Sequence, residues 1–163
     1  GWRVDLFGPY SAVLGVKDAT SEFIGRGANL AELFGLGDLI VCKIVNVTSQ
    51  KLIDVSLKGP GLQKLKGGRT LKVNAAKVPR IIGKDSSMLG MIMQATGIKI
   101  AVGMNGIVWI DGTPEGEVVA VETIEKIQNE AHLSGLTNKI KDFLEHKTGK
   151  KVVAQAIPAE GES

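Results

Sequence analysis

Residues 78–100, "VPRIIGKDSSMLGMIMQATGIKI", decide how the rest of the chain is read. An apolar pair, Ile81 and Ile82, runs into Gly83, Lys84 and the polar group Asp85, Ser86 and Ser87. A glycine and a cation at the mouth of a helix suit a phosphate, because the first N–H groups of a helix are unpaired and carry partial positive charge. Asp85 opposes that use by like-charge repulsion, on the order of 1 kcal/mol at an exposed site. Asp85 or Ser86 is also suited to capping the helix itself. Three readings are open here: a nucleic-acid clamp, a weakened clamp, or an ordinary helix start.

Working outward, the pattern predicts a strand over 70–74, a helical turn over 77–82 and a helix over 87–96. Gly97 stands where a helix C-terminal glycine belongs. Two strands, "IKIAV" and "IVWID", follow around the turn "GMNG". Thr113 and Pro114 then open a helix expected to end near His132, as a capping threonine and a first-turn proline should. The order is β-α-α-β-β-α. "LTNKIKDFLEHK" adds a last amphipathic helix with Leu136, Ile140, Phe143 and Leu144 on one face.

Upstream the periodicity changes to two. Trp2, Val4 and Leu6 alternate with Arg3 and Asp5, and Pro9 breaks the run before "SAVLGV" returns as a second strand. "DLIVCKIVNV" reads as one long apolar strand interrupted by Lys43 and Asn46, and "LIDVSLK" alternates again. One helical turn is expected near 29–34. Short strands without long helices predict a small OB-type barrel. It is one strand short of five, so its first strand is expected upstream of Gly1 or from another segment. The fold class is therefore α+β in two small domains. A truncated barrel over 1–58 and a glycine-rich linker over 59–68 precede an α/β unit over 69–152 and a frayed tail over 153–163.

Composition narrows the function. Twenty-one glycines in 163 residues favour tight turns over a helical bundle. A single cysteine, Cys42, excludes an internal disulfide. With no apolar run of membrane-spanning length and no signal-peptide pattern at the N-terminus, the expectation is a soluble, cytoplasmic chain. The net charge of +3 is unevenly spread. Between Asp54 and Asp85 there is no acid, while Lys58, Lys64, Lys66, Arg69, Lys72, Lys77, Arg80 and Lys84 fall in that interval. Residues 111–130 reverse the balance with Asp111, Glu115, Glu117, Glu122, Glu125 and Glu130 against Lys126. Such asymmetry points to a basic face that meets a polyanion, or to a solvated surface.

The stretch 78–100 resembles the signature of a type I KH domain: Ile82 and Gly83 open it, Leu89 and Ile92 lie in the helix, and Thr96, Gly97 and Ile100 close it. Ser86 stands where that signature has its second glycine. Taken with "GWRVDLFGPYSAVL" and "NGIVWIDG", the chain is similar to the RNA-binding cap subunits of the archaeal exosome, with an OB-type barrel before a single KH domain. The resemblance implies a non-catalytic subunit that binds single-stranded RNA and sits as a ring of three on a hexameric ring of RNase-PH-like subunits. It would guide RNA to the pore of this 3′-to-5′ exoribonuclease. It also implies that the family's N-terminal domain and first barrel strand precede Gly1.

The RNA-contacting residues expected on this basis are Gly83, Lys84, Arg80, Lys77 and Arg69 in the second unit, with Arg26, Lys43 and Lys51 in the first. Ile81, Ile82, Ile92 and Ile100 are candidates for a narrow base groove, although aliphatics of this kind are core more often than groove. Trp2, Trp109, Met88, Met91 and Met93 read first as core. Aromatic content of 4% argues against an RRM-type stacking platform. No cofactor, metal or catalytic constellation is expected: His132 and His146 lack ligand spacing, and Cys42 has no local partner. Two alternatives remain, a structural scaffold docking through the last helix and an elongation-type transcription factor.

Overall fold

In the computed structural model, which describes residues 1–20, 25 and 29–154, the chain divides into two units between Lys66 and Gly67. In the first unit β1 (Trp2–Asp5) and β2 (Ser11–Leu14) form an antiparallel hairpin with Trp2 opposite Leu14 and Asp5 opposite Ser11. The expected strand "SAVLGV" stops at Leu14, because Gly15 accepts from the N–H groups of Asp18 and Ala19 and starts the short helix α1 (Val16–Ala19). A single 3-10 turn at Leu30–Glu32 falls within the expected helical turn, capped by the Asn29 side chain, which accepts from Ala31 N at 3.1 Å.

The run 38–47, expected as one strand, is two. β3 (Leu39–Ile40) pairs with β6 (Lys64–Leu65) in its own small sheet, while β4 (Lys43–Val47) pairs with β5 (Ile53–Ser56). The chain changes sheets at Val41, which exchanges both backbone hydrogen bonds with Gln63 at 2.8 and 3.1 Å. Residues 64–65, assigned to a linker on sequence grounds, therefore contribute a strand to the first unit. The strands expected to build a barrel lie in a mixed sheet ordered β1-β2-β5-β4, with β2 and β5 parallel. Its buried side carries Ala12, Leu14, Ile53 and Val55. Trp2 packs against that cluster edge-on to Phe34, centroids 5.2 Å apart, and its Nε1–H donates to Phe34 O at 3.0 Å.

The second unit contains β7 (Arg69–Lys72), α2 (Val78–Ile82), α3 (Ser87–Thr96), β8 (Lys99–Val102), β9 (Ile107–Asp111), α4 (Pro114–Glu130) and α5 (Leu136–Thr148). This is the expected β-α-α-β-β-α order followed by one more helix. The sheet is antiparallel throughout, ordered β7-β9-β8. Thr113 Oγ1 accepts from Gly116 N at 3.1 Å, so α4 starts where its capping threonine predicts. Val108 and Ile110 of β9 meet Ile81, Met91, Ile92, Ile124 and Ile127 in the core. Leu136, Ile140 and Leu144 of α5 are buried in the same core. Phe143 sits at the seam, with Lys126 and Lys147 ammonium groups 5.5 and 5.7 Å from its ring centre.

Both ends of this unit are tied down. Trp109 Nε1–H donates to Gly67 O at 2.8 Å, and Gly68 approaches so closely that a Cβ there would lie 2.5 Å from Ile110 O. At the other end Val152 is buried in the core, and Val153 is hydrogen-bonded to Gln94 on α3. The tail expected to fray from 153 is thus held at its first residue. Residues 155–163 lie outside the described residues.

Candidate nucleic-acid interface

The loop between α2 and α3 is shaped by three departures from ordinary backbone within four residues. Gly83 has φ 76° and ψ 172°, a region essentially closed to residues with a Cβ. A Cβ there would also lie 2.7 Å from Met88 N and Met88 Cβ. Asp85 (φ 53°, ψ 34°) and Ser86 (φ 63°, ψ 22°) are then both left-handed. Ser86 thus holds, as an L-residue, a conformation that glycine adopts freely, at a cost of about 1–2 kcal/mol.

This geometry corrects the helix-cap reading. No side chain caps the N-terminus of α3. A capping residue needs extended φ/ψ to bring its oxygen back over the first turn, and the left-handed backbone of Ser86 does not supply it. The Asp85 and Ser86 side chains therefore leave the first turn of α3 uncapped, and its first amide, Ser87 N, donates to Lys84 O. Lys84 and Asp85 are exposed beside that turn.

The flanking cations have other occupations. Lys77 Nζ donates to Gln128 O at 2.6 Å. Arg80 Nε donates to Ala131 O at 3.1 Å and its Nη2 to Leu133 O at 3.4 Å. Both gather at the C-terminus of α4, where free carbonyls and the negative end of the helix dipole attract cations. Arg80 also borders an open cleft of about 540 Å³ shared with His132, Ser134 and Asn138. Arg69 pairs with Glu117 at 3.5 Å near the opposite end of α4. From residue 117 to 128 a helix rises about 16 Å, so Arg69 is not brought together with Lys77 and Arg80. Of the expected groove aliphatics, Ile81 and Ile92 are fully buried, whereas Ile82 and Ile100 remain partly exposed. Met88 and Met91 are core, Met93 is partly buried against it, and Trp109 is buried.

In the first unit Lys43 is exposed on β4, and Lys51 Nζ donates to Tyr10 OH at 2.9 Å. That contact between the β1–β2 and β4–β5 turns joins residues 41 apart, and nothing in the local sequence signals it. Arg26 lies outside the described residues. Cys42 is half-buried, and burial pushes its thiol pKa up, away from the nucleophilic thiolate. Among the described residues no group of three or more His, Cys, Asp or Glu side chains is placed to hold a metal, and no helix is long and apolar enough to cross a membrane.

Known proteins with these features are related by sequence and by fold. A family model described as a KH domain matches residues 68–116. The exosome complex component Rrp4 of Thermoplasma acidophilum is 38% identical over 98% of this chain and 66% of the relative. The protein of the same name from Pyrococcus furiosus is 41% identical over 88% of this chain and 56% of the relative. The chain thus spans less than two thirds of the length of these curated relatives. A crystal structure provisionally described as an exosome-complex RNA-binding protein superposes with a TM-score of 0.74 at 34% identity, covering 90% of this chain and 85% of the other.

Proposed function

The chain belongs to the Rrp4 family of exosome components, and we propose that it acts as a non-catalytic RNA-binding part of that complex. Its role is to hold single-stranded RNA for a partner that degrades or processes it. The observation that carries this reading is the 83–86 loop: Gly83 opens it, Asp85 and Ser86 keep it left-handed, and the helix behind it has no side-chain cap. Ser87 N donates to Lys84 O, so a phosphate would take the later first-turn amide hydrogens that no side-chain oxygen caps, with Lys84 adding a cation beside them. Asp85 and the Ser86 side chain weaken the clamp without removing it.

The finer parts of the proposal follow the family. The chain joins two others as a trimeric cap on a hexameric ring of RNase-PH-like subunits in the cytoplasm and directs RNA to the pore. Within that scheme Gly83 and Lys84 contact RNA through the loop, with Lys43, Lys51 and Arg26 as contacts of the first unit. Weighing against the scaffold alternative, three of the four apolar residues on the α5 face, Leu136, Ile140 and Leu144, are buried in the intramolecular core, while Phe143 stays partly exposed.

The test is binding of a fluorescent oligoadenylate at several salt concentrations by the unaltered chain and by Lys84→Asp. Expected is salt-sensitive binding, with log K falling by about 0.7 per phosphate neutralised for each unit of log salt, and weaker binding by the variant. Equal binding by both would remove the loop from the interface. Absence of binding by the unaltered chain would overturn the proposal.

A further inference from the structure

Among the described residues, four that are not glycine have positive φ: Asp85 and Ser86 in the loop above, and Phe7 (61°) and Lys51 (62°) in the first unit. The second pair is the informative one. Phe7 lies in the turn between β1 and β2, Lys51 in the turn between β4 and β5, and the Lys51–Tyr10 hydrogen bond brings the two turns together. At such positions glycine or asparagine gives the same turn without strain. A phenylalanine and a lysine are held there instead. The Asp5 carboxylate helps by accepting from Phe7 N at 2.7 Å.

The side chains so held are presented to solvent. Phe7 is 49% and Tyr10 43% exposed. The Lys51 ammonium is 2.9 Å from the Tyr10 hydroxyl but 5.2 Å from the ring centre, which puts it at the hydroxyl edge and not over the ring. The hydrogen bond to the Tyr10 hydroxyl uses one of the three donors of the Lys51 ammonium. Leu52, which follows Lys51, and Val13 on β2, opposite Arg3 on β1, are exposed nearby, as are the polar Ser49 and Gln50 of the β4–β5 turn and the Asp5 carboxylate, which is engaged by Phe7 N.

We propose that Phe7, Tyr10 and Lys51 form a nucleotide subsite in the first unit, with the two rings stacking on unpaired bases and the Lys51 ammonium holding an adjacent phosphate. Two exposed rings in one turn, one of them hydrogen-bonded to a cation, match the chemistry of single-stranded RNA, whose bases offer a π-face whatever their identity. Duplex nucleic acid would leave the rings idle. The inference rests on the RNA-binding reading and adds to it a stacking site that the basic stretch does not contain.

The test titrates the full chain into oligoadenylate carrying 2-aminopurine, reading anisotropy for affinity and quenching for stacking. Tyr10→Leu and Phe7→Leu keep apolar bulk but lose the ring, and each is expected to weaken binding about fivefold or more and to reduce quenching. Tyr10→Trp should retain both. Lys51→Gly relieves the backbone and removes the charge, so its salt slope should fall by about 0.7. Thermal melts of each variant check that it folds. Wild-type affinity and quenching in both leucine variants would overturn the subsite while leaving RNA binding intact. No binding by the unaltered chain would overturn the RNA reading and the subsite together.

Discussion

The side-chain amide of Gln94 holds the backbone of Val153 from both sides: Nε2 donates to Val153 O at 2.8 Å, and Val153 N donates to Oε1 at 3.0 Å. An amide side chain thereby imitates one rung of a sheet and seats the neighbouring Val152 in the core of the second unit. Replacing Gln94 with leucine should cost about 1–2 kcal/mol, two modest hydrogen bonds at a partly solvated site. Hydrogen exchange at Val153 N should rise well above that of the α3 amides. Unchanged protection would mean that Val152 alone anchors the segment.

Arg80 is expected to act on stability more than on RNA. Its two bonds run to Ala131 O and Leu133 O, beyond the last residues of α4. Arg80→Met keeps the aliphatic stem and should lower the stability of the second unit by about 1–3 kcal/mol, as loss of charged hydrogen bonds does. The salt slope of RNA binding should stay the same. A slope reduced by about 0.7 with stability intact would return Arg80 to the interface.

The two ends of the 83–86 loop should respond oppositely. Gly83→Ala places a Cβ 2.7 Å from Met88 N in backbone space that only glycine enters, and should destabilise the second unit by about 2 kcal/mol or more. Ser86→Gly removes a left-handed L-residue, so stability should hold or rise by up to about 1 kcal/mol. It also clears the side chain from the position where an RNA backbone would approach. Oligoadenylate affinity should increase severalfold; a decrease would show that the serine hydroxyl is itself a contact.

Acid should act on the first unit through Asp38. Its carboxylate accepts from Gly35 N at 2.8 Å and pairs with Lys64 at 3.0 Å, and these, the backbone bond foremost, hold its pKa below the ordinary 3.8. A carboxyl with a depressed folded pKa stabilises fully above its unfolded pKa. That contribution fades as pH falls from about 4 through the folded value. Asp38→Asn should lack this component, so the melting temperatures of the two proteins should converge as pH is lowered below 4. Parallel curves would show that the carboxylate does not stabilise the unit.

Much of the second unit was legible because its signals are local. Thr113 caps, Gly97 terminates, and the period of Leu136, Ile140 and Leu144 marks a buried face. What escaped is set by distant partners. Nothing within "DLIVCKIVNV" tells that Val41 will turn to Gln63 while Ile44 turns to Val55. Lys77 and Arg80 read as free cations because the carbonyls they meet lie about fifty residues on. Asp85 and Ser86 read as caps because residue type does not give the sign of φ, which decides whether a polar side chain can reach back over a helix.

The contacts at the end of α4 also order events in time. The segment leading into the 83–86 loop is held by Asn74 N on Gln128 Oε1, Lys77 on Gln128 O, and Arg80 on Ala131 and Leu133. Contacts of such long sequence separation form late and slow a chain's folding. During synthesis the loop is made some fifty residues before its support. A nascent chain stopped short of Leu133 therefore carries the residues of the loop without the full set of contacts that hold its leading segment.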